Sequence, residues 1–316
     1  MSAAPETGHV PVLAEKVVAG LAPVAGETFV DCTAGLGGHA ALLAARVGPG
    51  GRVILLDVDR GNLERAEARL RSLPGGPAVE AVHANFSSVG EVLRARGITA
   101  HMVLADLGFS STQMDDPERG FSFQRPGPLD MRLDPGLVGT AADLVNALPE
   151  ARLADLIHSL GEEPFARRIA RTLVAARQRS PIRTTTELAD LVRKAYGARA
   201  ETSRMHPATR TFMALRIAVN GELAALERLL DSVGEAARAV AEGRPAWLAP
   251  AARVGIISFH SLEDRMVKQA FAGLPAGAGR RSGGSREPLT ASEEEVRANP
   301  RARSAKLRFL TLIGRC

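Results

Sequence analysis

The 316-residue sequence predicts an α/β protein: a doubly wound parallel sheet interrupted once by an all-helical insertion. Three observations carry that prediction. Short apolar runs alternate with helix-spaced ones up to residue 107, the order that builds a parallel sheet with helices on both faces. The first apolar run ends at Asp31 and enters a turn holding Gly35, Gly37 and Gly38. Strand character then vanishes until 253–259 and 307–313, leaving amphipathic helical stripes between.

Strands are expected at 28–33, 52–57, 79–83 and 101–107, with helices near 11–21, 39–47, 60–72 and 87–96. Residues 108–135 lack periodicity and are rich in Gly, Pro, Ser and Phe, a long loop of the kind that often carries function. Helical spacing resumes at 150–160, 164–178 and 186–196. Pro207 can open a further helix, whose stripe Phe212, Leu215, Val219, Leu223, Leu226, Leu230, Val233 advances by threes and fours as one face. The discontinuous sheet domain is expected at 1–110 and 207–316, with the helical insert, read as a substrate-recognition domain, at 111–206. Residues 273–304, rich in Gly, Ala, Arg and Pro, are expected to form an exposed loop.

Composition narrows the class. An apolar content of 45% supports a packed core, and no apolar run approaches the ~18–20 residues a membrane span needs. The first residues show neither a basic segment nor an apolar one of the secretory kind. With Cys32 and Cys316 as its only cysteines the chain has no disulfide framework, and a reducing cytoplasm is the expected setting. The net charge of +5 comes almost wholly from arginine, lysine occurring only at 16, 194, 268 and 306. Arginine suits phosphate forks and base stacking. His39, His206 and His260 form no metal-ligand spacing with one another or with the cysteines, so no metal is expected.

The glycine turn is where chemistry begins. Glycines let backbone amides approach a ligand, and the helix opening at residue 39 adds unpaired N–H groups. Gly35-x-Gly37-x-x-Ala40 also fits a dinucleotide fingerprint, which would suit a dehydrogenase. Two carboxylates point elsewhere. Asp57 closes the second strand, where an acid can accept both ribose hydroxyls, while Asp59 reads as the N-cap of the following helix. Asp31 stands where a dinucleotide turn needs no acid and suits an ammonium group; S-adenosylmethionine carries both an ammonium and a ribose. The fourth strand ends at Asp106-Leu107-Gly108-Phe109, on the same sheet edge. An exocyclic amine on cytosine or adenine is a poor nucleophile because its lone pair is delocalised. An acceptor such as Asp106 that pulls on its N–H bonds frees that pair, and Phe109 either stacks the base or packs in the core.

The segment Glu118-Arg119-Gly120-Phe121-Ser122-Phe123-Gln124-Arg125-Pro126-Gly127-Pro128-Leu129-Asp130-Met131-Arg132 is the point at which a family becomes recognisable. With it go His9-x-Pro11-Val12-Leu13, Gly37-Gly38-His39, Asp106-Leu107-Gly108-x-Ser110-Ser111 and Gly161-Glu162-Glu163 with Ala166-Arg167-Arg168-Ile169-Ala170-Arg171. His206-Pro207-Ala208-Thr209-Arg210, Ile257-Ser258-Phe259-His260-Ser261-Leu262-Glu263-Asp264-Arg265 and Asn299-Pro300-Arg301-Ala302-Arg303-Ser304 follow in order. Over nearly its whole length the chain resembles the bacterial small-subunit ribosomal RNA (cytosine-N4)-methyltransferases, the MraW-like family.

That resemblance implies a Rossmann-like class I methyltransferase sheet and S-adenosyl-L-methionine as cofactor. It implies cofactor contacts at Gly37, Gly38, His39, Asp57, Phe86, Asp106 and Gln113, with Asp106 catalytic. The substrate it implies is the N4 amine of a cytidine in 16S ribosomal RNA, in the decoding region of an assembled or nearly assembled small subunit. Three positions depart from the family pattern: Phe109 replaces a usual valine, Thr112 a proline and Met213 a glutamine. Arg125, Arg132, Arg210, Arg301 and Arg303 are candidates for RNA phosphates. The alternatives are a DNA amino-methyltransferase, a dehydrogenase and a non-catalytic RNA-binding ribosome assembly factor. Monomer and homodimer both remain open.

Overall fold

A computed structural model describes residues 11–203, 205–275, 278–281 and 287–313; His9 and Arg204 lie outside them. The chain divides into two compact units, one from residues up to Gly108 together with those from Ala224, the other Phe109–Leu223.

The first unit opens with α1 (Ala14–Leu21), β1 (Thr28–Asp31), α2 (Gly38–Val47), β2 (Arg52–Asp57), α3 (Arg60–Arg71), β3 (Ala78–His83), α4 (Val89–Arg96) and β4 (Ala100–Asp106). The expected strands and helices are present, with ends shifted by at most a few residues. β1, β2 and β4 are apolar on both faces because helices cover both, whereas β3 has no fully buried residue. Val30, Ile54, Leu56, Val103 and Ala105 join one buried cluster. Their neighbours Phe29, Val53, Leu55, Met102 and Leu104 join another on the opposite face with residues of α1, α2 and α3.

The helical unit follows with α5 (Ser111–Asp115), α6 (Ala141–Ala147), α7 (Glu150–Gly161), α8 (Ala166–Arg177), α9 (Thr185–Tyr196) and α10 (Thr209–Asn220). Its core holds Phe121, Leu153, Ile157, Ile169, Leu173, Leu188, Val192, Phe212 and Leu215. The 116–135 loop is pinned rather than slack. A side chain at Gly120 would overlap the Pro128 carbonyl, and one at Gly127 the Pro117 carbonyl, so two backbone strands cross where only glycine fits. Arg119 donates to the carbonyls of Arg132 and Leu133, and Asn220 donates to that of Met131.

The stripe from Phe212 to Val233 is two helices, not one. Gly221 adopts φ 59° between α10 and α11 (Glu222–Ala241). Phe212 and Leu215 pack into the helical unit, whereas Leu226, Leu230 and Val233 pack against the sheet. The insert therefore ends at Leu223, not at residue 206, because α10 belongs to the helical core.

The chain re-enters the sheet with β5 (Leu248–Ser258), α12 (Ser261–Ala272), β6 (Gly279–Arg281), β7 (Leu289–Thr290), α13 (Glu293–Ala298) and β8 (Lys306–Leu312). Strand order is β3-β2-β1-β4-β5-β8-β6, with β7 also on β8. The first five strands are parallel and β8 runs antiparallel to β5. Residues 273–304, expected as a bare loop, contain β6, β7 and α13 among the described residues; 282–286 lie outside them. Pairing to β8 and an N-cap from Ser292 give this segment its order, and Glu295 Oε1 accepts the Leu13 N–H at 2.6 Å. No described helix is long and apolar enough to cross a membrane.

Candidate active site

Because β3, β2, β1, β4 and β5 run parallel, their carboxyl ends share one edge, the edge at which open α/β sheets bind ligands. Asp31, Asp57 and Asp106 end β1, β2 and β4 there. The turn after β1 is tied to both neighbouring strands: the Cys32 N–H donates to Leu104 O and the Ala34 N–H to Leu56 O, each at 2.8 Å. Gly35 and Gly37 take φ values of 51° and 75°. A Cβ at Gly37 would stand 3.1–3.2 Å from Leu70 and Ala66, so the turn packs directly on α3. Asp59 caps α3, accepting the Asn62 N–H at 3.2 Å, as expected.

The three carboxylates are differently engaged. Asp57 accepts the Gly35 N–H at 2.7 Å and the Asp59 N–H at 2.8 Å, one on each oxygen, which leaves a lone pair on each. Burial raises its carboxyl above the ordinary range against those hydrogen bonds. Asp31 is 2% exposed and accepts the Thr33 N–H at 3.1 Å. Burial pushes its carboxyl up to about 7, with the Asp106 and Asp57 charges adding and His39 opposing. Thr33 also accepts the Asp106 N–H at 2.7 Å through Oγ1, a link between the turn and β4 that the sequence did not advertise.

His39, in the first turn of α2, is buried, with neither ring nitrogen hydrogen-bonded among the described residues. Its Nε2 is 3.5 Å from Asp106 Oδ2, and the two make no hydrogen bond. Asp106 Oδ1 is likewise without a partner among the described residues. Unsatisfied buried donors and acceptors are costly and mark a place where a ligand supplies the missing bonds. Chain order shows no sign of this meeting, since residues 31, 39 and 106 converge only through the parallel pairing of β1 with β4.

Gly38 opens α2, facing Pro11 at 3.4 Å from its notional Cβ. Phe86 follows β3 in a short 3₁₀ turn capped by Asn85 and is half-buried against the sheet core. Gln113 belongs to the helical unit, buried, its Oε1 accepting the Ser110 N–H at 2.8 Å in a capping box. His260 caps α12: its side chain accepts the Glu263 N–H, and its Nε2 lies 3.2 Å from Glu263 Oε1.

Two expectations are corrected. Phe109 is not a free stacking surface: Phe121 stacks on it at 5.1 Å, and the Arg216 guanidinium lies 4.8 Å from its centroid, held in turn by Glu222. Arg132 is not a free phosphate ligand, because its guanidinium binds both Asp130 oxygens and the carbonyls of Pro135 and Leu137.

Three carboxylates around a glycine turn suit a ligand bearing positive charge and hydroxyls, whereas the pyrophosphate of a dinucleotide would meet like charge. With the antiparallel β8 on a parallel sheet, the fold and this edge define an S-adenosylmethionine-dependent methyltransferase with a Rossmann-like sheet. A family description, MraW methylase family, matches residues 6–313, and the chain belongs to that family. Proteins named ribosomal RNA small subunit methyltransferase H are close relatives. One from Koribacter versatilis is 44% identical over 306 residues, covering 95% of this chain and 92% of its own. One from Syntrophotalea carbinolica is 46% identical over 317 residues, covering 96% and 97%. Among solved structures, an rRNA methylase from Streptococcus thermophilus aligns over 99% of both chains at 13% identity with a TM-score of 0.40.

Proposed function

We propose that this protein transfers a methyl group from S-adenosylmethionine to the N4 amine of a cytidine in 16S ribosomal RNA, in the decoding region of the small subunit. The observation that carries the reading is Asp106: a carboxylate with an unpartnered buried oxygen, its backbone fixed by Thr33, at the strand end beside the glycine turn. The names of the relatives support ribosomal RNA as substrate, and the resemblance of the 118–132 segment and its companions supports cytosine N4.

Gly37, Gly38, His39, Asp57 and Phe86 are the residues proposed to hold the cofactor on this edge, with Asp106 beside them; the resemblance adds Gln113 to the proposed set. The unpaired His39 nitrogens and the acidic surroundings fit a ligand with ammonium, carboxylate and ribose groups. When bound, S-adenosylmethionine supplies an electrophilic methyl on a sulfonium. Asp106 would accept an N–H of the cytosine amine, which localises the nitrogen lone pair, and would take up the proton released as the N–C bond forms and the methyl–sulfur bond breaks, that bonding pair staying on sulfur. Holding the two reactants in line contributes the largest share, since good orientation is worth roughly 7–11 kcal/mol. The amine is paired and stacked within a helix, so the base must be single-stranded or flipped out. The helical unit, residues 109–223, is the proposed RNA-recognition element.

Nucleoside mass spectrometry of ribosomal RNA from cells with and without the gene tests this. N4-methylated cytidine is expected to disappear from 16S RNA on deletion; an unchanged level refutes the reading.

A further inference from the structure

Phe109 is covered by Phe121 and Arg216, whereas a second ring pair of the helical unit, Phe123 and His206, has an exposed member. Phe123 is half-buried, with the edge of the core residue Phe212 against it at 4.9 Å and 73°. On it stacks the His206 imidazole, at 4.4 Å and 24°. His206 is exposed, as is Met205 beside it.

The His206 ring is nevertheless fixed. Its Nδ1 accepts the Ala208 N–H at 3.2 Å, and its carbonyl accepts the Thr209 N–H at 3.0 Å where α10 begins. Ala208 is fully buried, which anchors that turn. The loop beneath Phe123 is equally held. Thr185 donates through its N–H to Gly127 O and through its hydroxyl to Arg125 O, at 3.0 and 3.1 Å.

A ring used for core packing is enclosed, as Phe121 and Phe212 are. His206 has one face on Phe123 yet is exposed as a residue, with no partner for Nε2 among the described residues. Ordering a surface side chain costs entropy, and here nothing within the unit is gained from its exposure. Two residues from Phe123, the Arg125 guanidinium is exposed and makes no hydrogen bond or ion pair with the described residues. A fixed, exposed ring and an unpaired cation two residues along the loop from its backing phenylalanine are what a nucleotide in a single strand requires: a surface for the base and a counter-charge for its phosphate.

We propose that His206, backed by Phe123, is a stacking platform for an unpaired base of the RNA, and that Arg125 takes an adjacent phosphate. This rests on the reading that the substrate is RNA. The occupant is a single-stranded ribonucleotide segment, matched by the unpaired Arg125 charge; base stacking tolerates any sequence because every base has a π-face.

The test uses the full-length protein and a fluorescein-labelled, unstructured twelve-nucleotide RNA, read by anisotropy. His206→Ala is expected to weaken binding about tenfold, and His206→Phe to stay within about threefold of the wild type, because it keeps the ring. Arg125→Ala is expected to weaken binding and to lower the slope of log K against log salt by about one. S-adenosylmethionine binding by calorimetry should be unchanged in all three. Unaltered RNA affinity in a folded His206→Ala overturns the platform, as does an equal loss in the Ala and Phe variants. Lost binding to small subunits with intact oligonucleotide binding points to a ribosomal protein contact and also overturns it.

The wild-type protein supplies an arm independent of folding defects. Photo-crosslinking to a 4-thiouridine-substituted RNA should mark the peptide carrying Phe123 or that carrying His206; marks confined elsewhere refute the proposal. Methylation of small subunits by the wild type, measured alongside, separates the two readings. Its persistence with a neutral His206→Ala removes only the platform, while its absence removes the substrate assignment.

Discussion

Asp106→Ala is expected to lower the rate of methyl transfer by about 10²–10⁴-fold, the usual worth of a positioned acid–base group. Removing this side chain leaves the glycine turn intact, because that turn hangs on backbone bonds from Leu56, Leu104 and the Asp57 carboxylate. Only the Asp106 backbone N–H contacts Thr33, and alanine retains that group. Cofactor affinity is therefore expected to change by less than about tenfold, so the loss falls on kcat. Asp106→Asn then divides the role. It keeps an acceptor oxygen but cannot take up a proton, and on the mechanism above its rate falls close to that of the alanine variant. Single-turnover methylation of small subunits gives both numbers. An alanine variant that methylates within about threefold of the wild type would contradict the assignment, whereas cellular function left intact by a methylation-dead alanine variant would favour a non-catalytic assembly factor.

Cofactor binding is expected to release a proton near neutrality. Asp31 carries the reason: burial first, then the nearby Asp106 and Asp57 charges, place its carboxyl at about 7. At pH 7 roughly half the ligand-free molecules hold that proton. A cationic ligand at this edge favours the ionised form through its field, without needing to touch a side chain that is 2% exposed. Affinity should therefore rise with pH, most steeply below 7, and level off above it. Calorimetry in buffers of differing ionisation enthalpy counts the proton directly.

Asp31→Asn should flatten the pH profile and abolish the release. Its effect on stability has a definite sign. A carboxyl raised from 3.8 to about 7 makes its full contribution below 3.8 and loses it as pH rises through 7. Relative to the wild type, the Asn variant should thus gain thermal stability between pH 5 and pH 8. A wild-type affinity independent of pH from 6 to 8 would contradict this account of the site.

Much of this architecture was legible in the sequence, for physical reasons. The strands at 52–57 and 100–106 are continuous apolar runs because both faces are covered, and each ends in a carboxylate that stays at the open edge. Glycine at 37 was legible because a left-handed turn against α3 admits little else. The boundary at Leu223 was hidden, since the spacing of apolar residues runs unbroken through Gly221 while the cores they serve differ. Arg132 and Phe109 looked available because sequence cannot show which partners a loop will fold against them. Asp130 is two residues from Arg132, but Arg216 reaches Phe109 from more than a hundred positions away. The same limit concealed the Asp31, His39 and Asp106 cluster, a product of strand pairing alone.

The most direct test of the central claim is a reconstituted reaction. Purified protein and isotopically labelled S-adenosylmethionine are combined with small ribosomal subunits from cells lacking the gene, and the digested RNA is read by mass spectrometry. Label is expected in N4-methylated cytidine from a single decoding-region position of 16S RNA, and none with Asp106→Ala. Label in another nucleoside, or in none while the wild-type protein binds the cofactor, would contradict it.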